Sequence, residues 1–593
     1  MQKIPRYLIT TSDEVTWKFD RPVIFLGEWC RTYDRQHIWK NMDAIVARPY
    51  GLGLAQKDAD YKKVCSLEEK LLSLLCDVLN EYHSLQNGKR FWRIFLGNWL
   101  RRYVQVMLNR VKTLEMCLQS HEILGTTTFS NSHFALAAPD SYMAIWAFND
   151  SRWNNVLNAR ILNLLEVTNF PLEVVTDCET TYSYCCFNIP SGPLEKISLK
   201  WLYYAVGKLL NWFASDSDAF FMNSYLPKKI QIKLQLALKQ IPQFWISPRY
   251  EVAQPPNKAL REKLAIQSAS KSHDKLENIL SSMLFELLPV CYLEGFAHIN
   301  MYVKKKSWPR SPKFIFTSNN FDTDEVFKLW VANKVKDGLK YFVGQHGNNY
   351  GTHRYFGKIT PEELYADKFI TWGWIDGLPQ HMPSFIFKHI GKSINNNPQG
   401  GLLLIEECLN HRITTWDSTY EFGDYFENQQ NLVSKLAINP RQNLTIRLPK
   451  NYKLMKWHEE ARWKAFDPLL KIDSGTSSIL DLIADSRLVL YSYDSTGMLE
   501  TLSQNIPTLA FWQNDLNHLR ESAKPFYQLL VDVGIVHLTV ESVAHKINVI
   551  WGNVEAWWSD SKVQDARKIF CDRYAKQSKN PTQDLFFLLT DKK

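Results

Sequence analysis

The stretch Leu488-Val-Leu-Tyr-Ser-Tyr-Asp-Ser-Thr-Gly-Met-Leu-Glu-Thr-Leu502, followed by Asn505-Ile-Pro-Thr-Leu-Ala-Phe511, decides how this chain folds. Its apolar start reads as a buried strand, and a polar turn follows. Ser495-Thr496-Gly497 then opens a helix, and a second strand begins near Pro507. A helix opened by small polar residues turns backbone N–H groups and hydroxyls into a cleft, which suits a phosphate. Glu500 lies one turn further along the same face, where a carboxylate can accept ribose hydroxyls. The plainer alternative is a strand–helix–strand unit with a good N-cap.

The same alternation runs outward from this stretch. Lys313–Thr317, Leu339–Val343 and Lys368–Thr371 read as strands, with a helix from Asp322 to Lys336. Residues 393–401, rich in Asn and ending in Gly-Gly, read as a linker. Beyond it, strands are predicted at Leu402–Ile405, Leu444–Ile446, Leu488–Tyr491, Thr508–Phe511 and Ile535–Leu538. Strands alternating with helices are the pattern of a parallel sheet wrapped on both faces. Nearer the start, Pro22–Gly27 and His133–Ala138 read as strands. Residues 66–120 and 195–300 read as mostly helical, with Leu67, Leu71, Leu72, Leu75 and Val78 on one face.

The expected class is therefore α/β, with two Rossmann-like domains facing across a cleft and the first enlarged by helical insertions. The expected divisions are 1–392 for an acceptor-side domain, 401–555 for a donor domain, and 556–593 for a helical tail packing back on the first. Ligands of such folds bind beyond the carboxyl ends of the strands. Glu28, Asp140, Asn319, Gln345, His346, Asp494 and Ser495 all fall at such ends.

At 593 residues the chain is too long for a single core. Aromatic content of 13%, with 21 Trp, suits either sugar faces or a large core. A net charge of +9 fits an anionic ligand or a membrane surface. It argues against a nucleic-acid partner, because a duplex reader concentrates its charge. The one basic cluster, Lys304-Lys305-Lys306-Ser-Trp308-Pro-Arg310-Ser-Pro-Lys313, reads as a solvated loop, or as a contact for anionic headgroups with Trp308 at the interface. The 10 Cys have no CxxC spacing, which implies reduced thiols. Met1-Gln-Lys-Ile-Pro-Arg-Tyr lacks the apolar core of a signal peptide. The stretch from Trp201 is broken at Lys208, too early to span a membrane. The expectation is a cytoplasmic protein, with a peripheral inner-membrane contact left open.

Gln345-His346-Gly347-Asn348-Asn349-Tyr350-Gly351 follows a predicted strand of the first domain. His346 is a candidate general base, and Gln345, Gly347 and Asn348 shape its turn. No Gly-Lys-Ser/Thr follows, so this is not a Walker A loop. Glu28 and Asp140 are further candidate bases, or else turn residues and helix caps. Arg447 and Lys450 end a strand of the second domain, placed for a phosphate or a sugar-acid carboxylate. Asp494, Ser495, Thr496, Gly497 and Glu500 complete the candidate donor set. Asp322-Thr-Asp324 has the spacing of a metal-binding pair but reads as helix capping. No metal and no cofactor is therefore expected, and no Gly-x-Ser-x-Gly elbow offers a serine nucleophile.

Four motifs carry a family resemblance: Phe25-Leu-Gly-Glu-Trp-Cys30, Phe91-Trp-Arg-Ile-Phe-Leu-Gly-Asn-Trp99, Gly344-Gln-His-Gly347 and Ser495-Thr-Gly-Met-Leu-Glu500. Across nearly the whole chain they resemble a bacterial family of surface-carbohydrate transferases found with capsule, O-antigen and sialic-acid-like sugar genes. The Ser-Thr-Gly…Glu…Pro pattern is similar to that of the capsule Kdo transferases and the polyglycerolphosphate transferases, both GT-B folds. Gln345-His346-Gly347 resembles the His-Gly turn that the latter use in catalysis. The Kdo transferases carry His-Pro where this chain has Leu448-Pro449. The resemblance implies a nucleotide-sugar donor, with a CMP-activated nonulosonic acid or Kdo-like acid favoured, and a glycan or lipid-linked acceptor. Such a monophosphate leaving group needs no metal. Glycerophosphate or polyol-phosphate transfer, and non-catalytic nucleotide or glycan binding, are the alternatives.

Overall fold

The computed structural model describes residues 4–591 apart from 131–134, 167–169, 176–181, 183–184, 186–206, 208–209, 249, 270–271, 356–358, 392–393, 410–421 and 514. Three parallel sheets organise them. The N-terminal sheet holds β1 (Arg6–Ile9), β2 (Val23–Phe25), β3 (Ala44–Val46), β4 (Ile123–Phe129) and β5 (Leu172–Val175), in the order β3-β2-β1-β4-β5. The middle sheet holds β6 (Phe220–Met222), β7 (Ile315–Thr317), β8 (Tyr341–Gly344), β9 (Lys368–Thr371) and β10 (His381–Pro383), in simple sequential order. The C-terminal sheet holds β11 (Gly401–Ile405), β12 (Leu444–Arg447), β13 (Lys471–Asp473), β14 (Ser486–Tyr491), β15 (Thr508–Phe511) and β16 (Val536–His537).

The C-terminal order, β13-β12-β11-β14-β15-β16, is the 3-2-1-4-5-6 winding of a nucleotide-binding Rossmann sheet. Its crevice opens where the winding reverses, between β11 and β14. Both strands are apolar and buried along their centres, as a sheet covered on both faces requires: Leu402, Leu403, Leu404, Leu488, Val489 and Leu490 are at most 1% exposed. The middle and C-terminal sheets are both parallel and joined through helices, and the α/β class expected from sequence holds.

The organisation of residues 1–392 differs from the expected single sheet with helical insertions, because a third parallel sheet lies between residues 6 and 175. It is joined to the middle sheet by a helical hairpin, Leu54–His83 and Lys89–Ser120. Ser84 reverses the hairpin in a left-handed conformation, φ 53°. Leu67, Leu71, Leu72 and Leu75 are buried as the periodicity requires, and one apolar cluster runs from this hairpin into both neighbouring sheets. The strand expected at His133–Ala138 is not there: 133–134 lie outside the described residues and 135–138 form no strand. The strand of this region is β4, whose Gly-Thr-Thr-Thr composition hides it.

Trp308 is also misplaced by the sequence reading. It is only 8% exposed and packs against Phe220 and Trp330 at 5.3 and 5.1 Å between ring centroids. Apolar burial outweighs the basic neighbours that suggested an interface. No described helix is long and apolar enough to cross a membrane. The final helices cross between units: Ser561–Tyr574 packs on the C-terminal unit, and Pro581–Thr590 packs its Leu585 and Leu589 into the core of the middle sheet.

Candidate active site at the seam of two sheets

The helix Thr496–Ser503 begins beyond the carboxyl end of β14. Ser495 is its N-cap: the side-chain oxygen accepts Met498 N–H at 3.0 Å. Ser495 is therefore buried, and Thr496 and Gly497 at the tip are half-buried. Gly497 is required on steric grounds, since a Cβ there would come within 2.6 Å of the Tyr491 ring. The tip points at the middle sheet. Thr496 Oγ1 accepts the backbone N–H of Asn348 at 3.0 Å, and a Cβ on Gly347 would lie 3.5 Å from that hydroxyl.

The bend that meets the tip is held from behind. Gln345 is buried. Its Oε1 accepts the Trp372 backbone N–H at 2.9 Å and Trp374 Nε1 at 2.7 Å, and its Nε2 donates to Gly347 O at 2.8 Å. Gln345 thus braces the turn. His346 projects from it among Tyr225, Phe321 and Tyr350, whose ring centroids lie 6.0, 5.7 and 5.3 Å away. Burial pushes its pKa down to about 4, against the pull of Asp322 and with the help of Arg102. It is a neutral imidazole at physiological pH. Arg102 and Asp322 pair with one another at 2.7 Å.

The tautomer follows from the neighbours. Tyr350 Oη gives its proton to Glu362 Oε1 at 2.5 Å and lies 3.4 Å from His346 Nδ1. A Tyr350 hydroxyl that donates to Glu362 accepts from Nδ1–H, and that tautomer leaves a lone pair on Nε2. Tyr225 and Asn223, on the turn after β6, have left-handed backbones with φ 58° and 48°. Unfavourable conformations of this kind cluster at functional sites.

Asp494 is the hub of the seam. Its Oδ1 accepts Asn348 Nδ2 at 2.6 Å and Tyr527 Oη at 2.9 Å. Burial works against its charge, but hydrogen bonds with His353 and His518 more than offset this and hold the carboxyl below its usual range. Asp494 therefore ties the turn before the tip to groups of both units. Glu406, beyond β11 at the crevice, accepts Trp463 Nε1 at 2.9 Å, and burial pushes it up to about 8, so it is protonated at neutral pH.

The other expected residues divide. Glu500 faces the seam as anticipated, but its carboxylate already meets Lys388 at 3.0 Å and His389 at 3.1 Å from the middle unit. Arg447 is paired with Asp473 of the adjacent strand, and Lys450 is exposed on the following turn. Glu28 forms short bonds to Arg31, three residues away, at 2.5 and 2.6 Å. Asp140 caps the helix Ser141–Ala147 through Met143 N–H at 2.8 Å; burial raises it to about 6. No contact among the described residues joins Glu28 or Asp140 to His346. For these two the capping and turn alternatives describe what the structure holds, since a carboxylate after a strand most readily satisfies the nearest backbone donors or cation. Sequence reasoning missed Tyr350, Glu362, Arg102, His353 and His518. Only Tyr350 and His353 carried a signal, as members of the same polar loop as His346.

The arrangement is a parallel α/β unit whose helix tip, capped by Ser495, is bonded to the bend that carries His346 in a second unit. The chain belongs to the LIC12162 transferase family, whose model matches residues 6–589. No curated protein sequence gives a significant match. Among solved structures it is similar to the wall teichoic acid polymerase TagF with CDPG, at 11% identity over 66% of this chain and 91% of that one, TM-score 0.32. It is also similar to S. aureus MnaA with UDP, at 12% identity over 63% and 97%, TM-score 0.34. A third is MurG of Acinetobacter baumannii, at 9% identity over 63% and 100%, TM-score 0.30.

Proposed function

We propose that the protein is a glycosyltransferase that moves a sugar from a nucleotide donor, most favourably a CMP-activated nonulosonic acid or Kdo-like acid, onto a surface glycan or lipid-linked precursor. The observation that carries this reading is the contact between the Thr496 tip and the Gln345-His346-Gly347 bend, with His346 neutral. The donor phosphate sits at the backbone N–H groups of Thr496 and Gly497, where the helix dipole favours an anion. His346 Nε2 takes the proton of the acceptor hydroxyl as it attacks the anomeric carbon, and the nucleotide leaves with the bonding pair. Lys388, exposed beside Glu500, supplies positive charge to the leaving phosphate. Arg447, paired with Asp473 at the end of β12, and the exposed Lys450 after it would meet a sugar carboxylate. No step in this scheme calls on a metal.

A lipid-linked acceptor would bring the protein to an anionic membrane. The surface for this is the exposed Lys304, Lys305 and Arg310, with Trp212 and Phe213 close by, because Arg310 reaches Asp216 at 3.7 Å. The deciding experiment measures which nucleotide raises the melting temperature. Stabilisation by CMP but not by UDP or GDP supports the donor assignment. Stabilisation by CDP-glycerol with no CMP-sugar transfer moves the protein to polyol-phosphate transfer. Nucleotide binding without any transfer makes it a binding protein. His346→Ala should fold normally and lose roughly 10²–10⁴-fold in turnover.

A further inference from the structure

Three side chains able to ligate a metal converge behind the helix tip. His353 Nε2 lies 3.2 Å from Asp494 Oδ2, and His518 Nε2 lies 3.1 Å from the same oxygen. The three ligand atoms fall within 4.8 Å of one another, and no other such group occurs among the described residues. They come from separate segments: His353 from the loop after β8, Asp494 from the end of β14, His518 from the loop after β15.

Two features of this cluster suit a bound cation. The first is its outer support. Asn348 Nδ2 and Tyr527 Oη both bind Oδ1, which fixes the carboxylate plane and leaves Oδ2 to the two nitrogens. Metal-ligating carboxylates are held in this way. The second is spacing. Around a tetrahedral cation with bonds of about 2.0–2.1 Å, neighbouring donor atoms stand about 3.3 Å apart. The observed separations of 3.2 and 3.1 Å are within about 0.2 Å of that figure. The Asp494 side chain is 5% exposed and the imidazoles 20% and 18%, so the open side of the cluster faces solvent, where a water could complete the shell.

We propose that His353, Asp494 and His518 bind a divalent transition cation of the zinc class that ties the middle and C-terminal units together. Two imidazoles and one carboxylate suit such a cation, whereas magnesium and calcium take oxygen ligands. The backbone is already laced at this point. Arg354 N–H donates to His518 O at 2.7 Å, Arg520 N–H donates to Thr352 O at 2.8 Å, and His353 bridges Leu519. An ion here spans the seam and sits one residue from the N-cap Ser495, so its loading sets the pose of the tip without entering any transfer step. The site does not depend on the proposed glycosyl transfer.

The test uses the full chain, stripped with a chelator and titrated with Co²⁺. The expected result is one equivalent of Co²⁺ with intense visible absorption of low coordination number, displaced by Zn²⁺ and not by Mg²⁺. The melting temperature should rise with Zn²⁺ until one equivalent is bound. His353→Gln and His518→Gln retain a hydrogen-bonding side chain for Asp494. Each should keep the metal-free melting temperature of the parent and lose the Co²⁺ spectrum. Absence of that spectrum in the parent protein overturns the proposal, as does equal metal retention by the double variant. Either outcome leaves the nucleotide-binding experiment untouched.

Discussion

Asn348 donates its backbone N–H to the hydroxyl of Thr496 at 3.0 Å, so the bend carrying His346 is bonded directly to the helix tip across the seam. The same residue holds Asp494 through its side chain at 2.6 Å. The bend and the turn that opens the helix are therefore tied at two points.

Thr496→Val tests that bond. It leaves the Asn348 N–H without its partner, at a cost of about 1–3 kcal/mol. The melting temperature should fall, and the extra stabilisation given by the nucleotide should shrink. Unchanged nucleotide stabilisation in a destabilised variant would separate the bond from the donor site.

His346 predicts an unusual pH profile. Its folded pKa of about 4 lies below the ordinary histidine value near 6.5. The neutral base persists as pH falls past 6.5, and kcat/KM should drop only as pH approaches about 4. Stability moves in the same direction. A histidine whose folded pKa is depressed contributes fully above its unfolded pKa and loses that contribution as pH falls from about 6.5 towards 4. Melting temperatures of the parent and of His346→Gln should diverge in that interval. An acid limb centred on 6.5 would remove His346 from the base role.

Tyr350→Phe removes the hydroxyl beside Nδ1 and takes the Tyr350 donor from Glu362 Oε1, while Asn98 Nδ2 stays on Oε2 at 3.0 Å. Turnover should fall about tenfold with KM little changed, the signature of an interaction that matters in the transition state. A change confined to KM would make Tyr350 a binding residue instead.

Trp308→Ala should destabilise the protein by about 3–5 kcal/mol, as loss of a buried indole does. Sedimentation with anionic vesicles should be unaffected. Replacing Trp212 and Phe213 by Ser should do the reverse, weakening vesicle binding with little effect on the melting temperature.

The alternation from Lys313 to Leu538 was readable because each central strand is an apolar run that ends in a polar turn. β8, β9, β11, β14 and β15 lie within two residues of their expected positions. The N-terminal sheet was not readable as a sheet. Of its strands, β2 and β3 are three residues long, and β4 is threonine-rich. Helices of 30 and 32 residues beside them carry a far stronger period. At the site, His346 and Thr496 were legible from local turn chemistry. Arg102, Glu362 and His518 were not, because each reaches the seam from an element whose own pattern says only helix or loop. Arg447 shows the converse failure: its strand-end position was read correctly, but Asp473 becomes its neighbour only through the parallel register of β12 and β13.

Leu585 and Leu589 share an apolar cluster with Phe221, Phe316 and Phe342, and Lys368 reaches back to Leu588 O at 2.6 Å. The middle sheet is thus walled by a helix that lies roughly 200 residues further along the chain. A ribosome needs roughly 10–40 s to make that span, and for that interval Leu234 and Leu238 of the same cluster lack the cover of Leu585 and Leu589. The core of the unit begun second is therefore completed only when residues 581–590 have been made.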